Sequence, residues 1–149
     1  DMIENAEYPV INGGVSASGY TDTFNTKGGV ITVSEGGNSC GYVDWQSHDF
    51  WLGGHCYALP LRDITSSAEY VLQFLKNSQA SIMALRVGSG LPNIQKRDLE
   101  KLLVSLPHPA EQRKIADFLS AIERKIDLVG QELRHARTFK QGLLQQMFV

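Results

Sequence analysis

Between Ile115 and Met147 one side-chain pattern repeats without interruption. Ile115, Leu119, Ile122, Ile126, Val129, Leu133, Ala136, Lys140, Leu143 and Met147 follow one another at alternating steps of four and three. Nine of these ten seam positions are apolar, and a 3.5-residue period held this long predicts a helix that winds against another helix. Pro109 suits the first helical position, where a missing N–H removes nothing, and Glu111 the third, where a carboxylate can meet free backbone donors. A helix from Glu111 to Phe148 would run roughly 55 Å at about 1.5 Å per residue. That is more than a small domain needs to cover its own core, so an ordinary core helix is the weaker reading. Two features depart from an ideal seam: Lys140 occupies a seam position, and Gly130 lies mid-helix at about 1 kcal/mol relative to alanine. Phe118, Phe139 and Leu144 widen the apolar face, so a further surface is expected to pack there.

The 149 residues suffice for one globular unit plus this rod. The division expected is a globular part over 1–107 and the helix over 108–149, an α+β chain with a small, mostly-β head, short helices and one long C-terminal coiled-coil helix. The chain enters its first apolar run soon after Asp1, so further strands of the head are expected upstream. No run of about eighteen apolar residues and no secretory pattern occurs, which predicts a soluble cytoplasmic protein with no membrane partner. Cys40 and Cys56 are expected as free thiols. Residues 1–107 hold seven Lys and Arg against eleven Asp and Glu, whereas residues 108–149 hold seven against five. The chain is no polycation, and any nucleic-acid binding must come from a local basic patch or a basic partner.

The head reads as short strands at Tyr8–Ile11, Gly29–Val33 and Cys56–Leu59, separated by Asn12-Gly13-Gly14, Gly36-Gly37-Asn38-Ser39 and Gly53-Gly54-His55. Tight turns alone would account for the glycines. The neighbouring Asn12, Ser16, Ser18, Tyr20, Asn38, Ser39, Trp45 and His48 add hydrogen-bonding and stacking groups, the composition of a surface that reads something. A helix is expected over Ser66–Met83, capped by Ser66, and a last strand over Leu102–Leu106. Between them, Arg86 and the Gly88-Ser89-Gly90 loop lead to Asn93, Gln95, Lys96 and Arg97, where backbone donors and cations could grip phosphates.

Catalytic patterns are missing. No Gly-Lys-Ser/Thr closes the glycine loop, and no dinucleotide fingerprint, nucleophile elbow or metalloprotease pair occurs. Cys40, His48, His55 and Cys56 can be drawn as a zinc set, but no C-x-x-C or H-x-x-x-H pair pins ligands, and no metal site is assigned. Glu35 has no second carboxylate or nucleophile placed with it by local spacing.

Whole phrases carry more information. YPVINGGVSASGYTD, ITVSEGGNSCGYV, FWLGGHCYAL, LRVGSGLPNIQKRDLEKL, LPHPAEQRKIADFLSAIERKID and the terminal FKQGLLQQMF resemble the DNA-specificity (S) subunits of type I restriction-modification systems. The resemblance covers nearly the whole chain. It implies target-recognition domains that each read half of a split site in double-stranded DNA, held apart by two long antiparallel helices. It also implies a non-catalytic role that positions a modification (methyltransferase) subunit and, indirectly, a restriction subunit. S-adenosylmethionine, Mg²⁺ and ATP would then belong to those partners, with no cofactor bound by this chain. One recognition domain and one helix make half of that pattern, so a homodimer through the seam is expected.

The residues expected at DNA are Asn12, Ser16, Ser18, Tyr20, Glu35, Asn38, Ser39, Arg86, Ser89, Asn93, Gln95, Lys96 and Arg97, the last two on phosphates. Two other classes compete with a DNA reader: a coiled-coil adaptor or remnant that docks partners without touching DNA, and a recognition fragment of a methyltransferase.

Overall fold

Val30-Ile31-Thr32-Val33-Ser34 is rich in β-branched side chains, which suit a pleated strand covered on both faces. In the computed structural model, which describes residues 6–61, 66–88 and 90–148, this strand, β3 (Val30–Ser34), is buried at every position. It is the centre of an antiparallel sheet with β4 (Val43–Gln46) and β6 (Cys56–Leu59) at its sides. The register opposes Ile31 to Trp45 and Leu59, and Val33 to Val43 and Tyr57, so these six share the face turned toward the core. Thr32 and Asp44 pair on the other face, as do Ser34 and Cys56.

A second sheet orders β2 (Tyr20–Thr21), β1 (Tyr8–Ile11) and β5 (Trp51–Leu52), with β1 antiparallel to β2 and parallel to β5. The strands read from sequence at Tyr8–Ile11 and Cys56–Leu59 stand, and the third runs one residue later than expected.

The expected Ser66–Met83 helix is broken. Helix α1 (Ala68–Asn77) starts one residue late, on Ser67, whose hydroxyl accepts the Tyr70 N–H at 3.3 Å. It buries Tyr70, Val71 and Leu75, and Ser78 then separates it from α2 (Gln79–Ala84). The Gln79 side-chain oxygen at that break accepts the Val43 N–H of strand β4 at 3.1 Å. A tertiary bond to an edge strand here overrides local helix propensity.

Leu102–Leu106 also departs from expectation. It follows the short helix α3 (Lys96–Leu99) as extended chain and pairs with no strand among the described residues. Leu102 and Val104 pack on the core, while Leu103 is 89% exposed and Leu106 is exposed as well. The Tyr70 hydroxyl donates to the Ser105 carbonyl at 2.9 Å, so a side chain tethers the segment in place of a ladder.

Helix α4 (Pro109–Met147) spans 39 residues with Pro109 at its start. The cap is His108, whose Nδ1 accepts the Ala110 N–H at 3.3 Å; the role expected of Glu111 is taken by the residue before the helix. In the first turns Gln112 is 2% exposed and Ala116 is buried, while Ile115 packs half-buried on the core. Gln112 accepts the Ser67 N–H at 2.9 Å and donates to the Pro107 carbonyl at 2.8 Å, joining rod, α1 cap and connector through one carboxamide. No helix among the described residues is long and apolar enough to cross a membrane.

Two outcomes follow from this packing. Gln112→Ala strands a buried N–H and a carbonyl and should lower stability by about 2 kcal/mol, read as a lower urea midpoint at unchanged m-value. Cys40 and Cys56 are free and buried, and burial pushes the Cys56 thiol from an ordinary 9.0 up to about 11. The fold therefore favours the neutral thiol. That contribution is complete below about pH 9 and is lost as pH rises through about 11. Between those values Cys56→Ala should lose less stability than the parent chain in parallel denaturant titrations.

Candidate nucleic-acid interface

Three polar, glycine-bearing loops leave the head, and hydrogen bonds from backbone N–H groups tie them together. The loop from Glu35 to Ser39 meets the segment from Arg86 to Asn93: Gly37 N–H donates to the Pro92 carbonyl at 2.9 Å, and Ile94 N–H to the Glu35 carbonyl at 2.8 Å. Val87 and Asn93 exchange backbone bonds of 2.8 and 3.0 Å, closing the second loop into a small hairpin-like turn. The third loop, between β1 and β2, reaches this pair through the Gly53–His55 turn. Asn12 Oδ1 accepts the His55 N–H at 3.2 Å, and the His55 carbonyl accepts the Glu35 N–H at 2.9 Å.

Not every residue singled out from sequence is presented to solvent. Ser16, Ser18 and Asn38 are exposed, and Tyr20 is about half exposed on β2. Asn12 is exposed too, although its carboxamide oxygen is engaged by the His55 N–H. Glu35 and Ser39 are only part-exposed, and the Glu35 carbonyl also accepts the Cys40 thiol at 2.9 Å. Asn93 is half-buried and accepts the Gln95 amide at 3.2 Å. Arg86 is exposed; Ser89 lies outside the described residues. Trp45, noted for stacking, packs on the core instead, because its register places it beside Ile31.

The cations sit on one flank. Lys96 and Arg97 open α3 and are largely exposed, in loose pairs with Glu100 at 3.9 Å and Asp98 at 3.8 Å. Exposed pairs this long hold the side chains weakly and leave them able to move to a phosphate. Asp98 is bound more tightly to Lys101 at 2.8 Å, and that hydrogen bond holds its carboxyl below the ordinary carboxylate value. The Tyr57 hydroxyl donates to the Ile94 carbonyl at 2.9 Å, anchoring the approach to α3, and burial together with the nearby Glu35 carboxylate pushes that phenol up to about 12. The β1–β2 loop arches over a cleft of about 220 Å³ lined on the sheet side by Thr32, Ser34, Asp44 and Gln46. No group of three or more His, Cys, Asp or Glu that could hold a metal occurs among the described residues.

One exposed side chain on this surface, His55, was considered in the sequence only as a metal ligand. The signal for a surface role was its place in Gly53-Gly54-His55, between two apolar runs.

The rod presents a different surface. Ile115 and Leu119 are half-buried, but Ile122, Ile126, Val129, Leu133, Ala136, Lys140, Leu143 and Met147 are all exposed, as are Phe118 and Phe139 beside them. Along its outer two-thirds the helix turns to solvent an apolar stripe interrupted by Lys140.

These features coincide with a known family. Residues 1–136 match the model of the type I restriction modification DNA specificity domain. A putative type I specificity subunit of Mycoplasma pneumoniae is 30% identical over 149 residues, covering 99% of this chain and 40% of that protein. Another from Mycoplasma genitalium is 32% identical over 144 residues, covering 95% and 37%. The crystal structure of a type I restriction-modification S subunit from M. genitalium superposes with a TM-score of 0.78 at 30% identity, over 99% of this chain and 40% of that one. The chain thus spans about two-fifths of the length of these relatives. The resemblance read from the sequence phrases is borne out, as is the α+β architecture with its long terminal helix: the chain belongs to the type I restriction-modification DNA specificity family.

Proposed function

We propose that this chain is a non-catalytic recognition module that reads one half of a bipartite site in double-stranded DNA and positions a modification subunit there, with a restriction subunit recruited through it. The observation carrying the reading is the joining of three polar loops into one hydrogen-bonded surface with Lys96 and Arg97 at its flank. Ser, Asn and Tyr side chains on the loops suit base edges in the major groove, while the flanking cations suit phosphates. S-adenosylmethionine, Mg²⁺ and ATP would serve the partner subunits, and the assembly would work in the cytoplasm.

The exposed seam of α4 supplies the second half of the proposal. A stripe from Ile122 to Met147 left in water is costly, and a second copy lying antiparallel along it would cover it by a two-fold interface. Gly130, a flaw in an isolated helix, lies near the middle of the seam, where an antiparallel pair related by a two-fold axis would meet; with no side chain there, the two backbones could approach closely. Two identical heads at the ends of such a rod would read a palindromic bipartite site whose spacing the rod sets. At about 1.5 Å per residue, α4 is roughly 58 Å long.

Reversing charge at Lys96 and Arg97 to Glu should weaken DNA retention by at least tenfold and flatten the slope of log K against log salt by about two. Unchanged retention of the chain with its modification subunit would instead support the adaptor reading. Sedimentation at micromolar concentration should give a dimer for the parent chain and a monomer for Leu133→Asp; a monomeric parent would remove the paired rod.

A further inference from the structure

His55 sits where the loops are joined. Its N–H is held by the Asn12 side chain and its carbonyl by the Glu35 N–H, and Glu35 in turn accepts the Ile94 N–H at the start of the cationic flank. The packing around this joint admits little else. Gly13 has φ +87° and lies against the His55 carbonyl so closely that a Cβ would collide with it. At Gly53 a Cβ would overlap the Asn12 carboxamide, and the Gly53 N–H donates to the Ile11 carbonyl at 2.8 Å. Both backbone polar groups of His55 are thus engaged, while its imidazole is exposed.

We infer that His55 reads a base edge and that Asn12 is the positioning residue that holds it there; this rests on the DNA-reading function proposed above. A side chain with two rotatable bonds on a backbone pinned from both sides loses little entropy on binding. Neutral imidazole offers one N–H donor and one acceptor, and a ring N–H directed into the major groove meets N7, the acceptor that every purine shows there. Thymine O4 could take the same N–H; the acceptor assigned to His55 is purine N7, and 7-deazapurine separates the two. The cations, two hydrogen bonds and two residues away through Glu35 and Ile94, are left to the phosphates. Asn12, whose carboxamide is engaged at 3.2 Å with a residue 43 positions on, contributes through the placement of that ring.

The test selects bound duplexes from a randomised double-stranded pool with the full chain, then measures affinity for the selected site with 7-deazapurine at single positions. The parent chain should enrich a motif and lose about tenfold in affinity when one purine lacks N7. His55→Ala should relax that one position to any base, start about tenfold weaker and show no further loss with the deazapurine. Asn12→Ala should relax the same position although the imidazole is intact, and Asn12→Asp, which keeps the accepting oxygen, should restore it. Thermal melting of each variant checks the fold. Overturning results would be a His55→Ala chain that enriches the parent motif with the same deazapurine sensitivity, or an Asn12→Ala chain that melts lower yet keeps the motif. A parent chain that enriches no motif would overturn the DNA-reading function itself, and this inference with it.

Discussion

The long helix α4 is fixed to the head through one buried carboxamide. Gln112 takes the Ser67 N–H from the cap of α1 and gives its own N–H to the Pro107 carbonyl. Ala116 and Ile115, on the same side of α4, extend the head's apolar core across the joint. A polar group so deeply buried is tolerable only while both bonds are made, so any bend at the joint exposes unsatisfied donors and acceptors. Polar bonds and apolar packing together thus hold the start of the rod to the head.

The head uses its central sheet in two ways. One face of β3 joins the core under α1 through Ile31 and Val33, while the other carries Thr32 and Ser34 toward the cleft beneath the β1–β2 loop. The Gln46 amide bridges the Thr32 hydroxyl and the Asp44 carboxylate, so this inner polar layer is satisfied within itself. The sheet's hydrogen-bonded polar face thus underlies the loop without leaving polar groups of its own unpaired. Recognition loops commonly sit on such a scaffold.

Elements whose determinants lie within a few residues were legible in the chain. Pro109 and the heptad spacing placed α4, and β-branched runs placed β1 and β3. Strand β4 was missed although Val43-Asp44-Trp45-Gln46 alternates, because Asp and Gln disguise a strand whose second face is polar. Two-residue β2 and β5 carry no periodicity at all. Leu102–Leu106 is an apolar run of strand length and yet no strand, since an apolar run reports burial and says nothing about a pairing partner. The break at Ser78 likewise depends on Gln79 reaching Val43, 36 residues earlier.

The same division runs through the candidate interface. By itself the sequence determined the extent of the rod, the apolar stripe along it and the presence of glycine-bearing polar loops, because helix period, capping and turn chemistry act over one or two turns of chain. Tertiary structure alone decided which polar side chains face outward. Trp45 and Asn93 looked equivalent to Ser16 or Asn38 in composition, yet strand register and loop-to-loop hydrogen bonds draw them inward, tie the exposed Asn12 to the His55 backbone and leave His55 exposed. Those bonds join residues far apart in the chain, and a hydrogen-bonding group has no local signature that tells whether its partner will be protein or ligand.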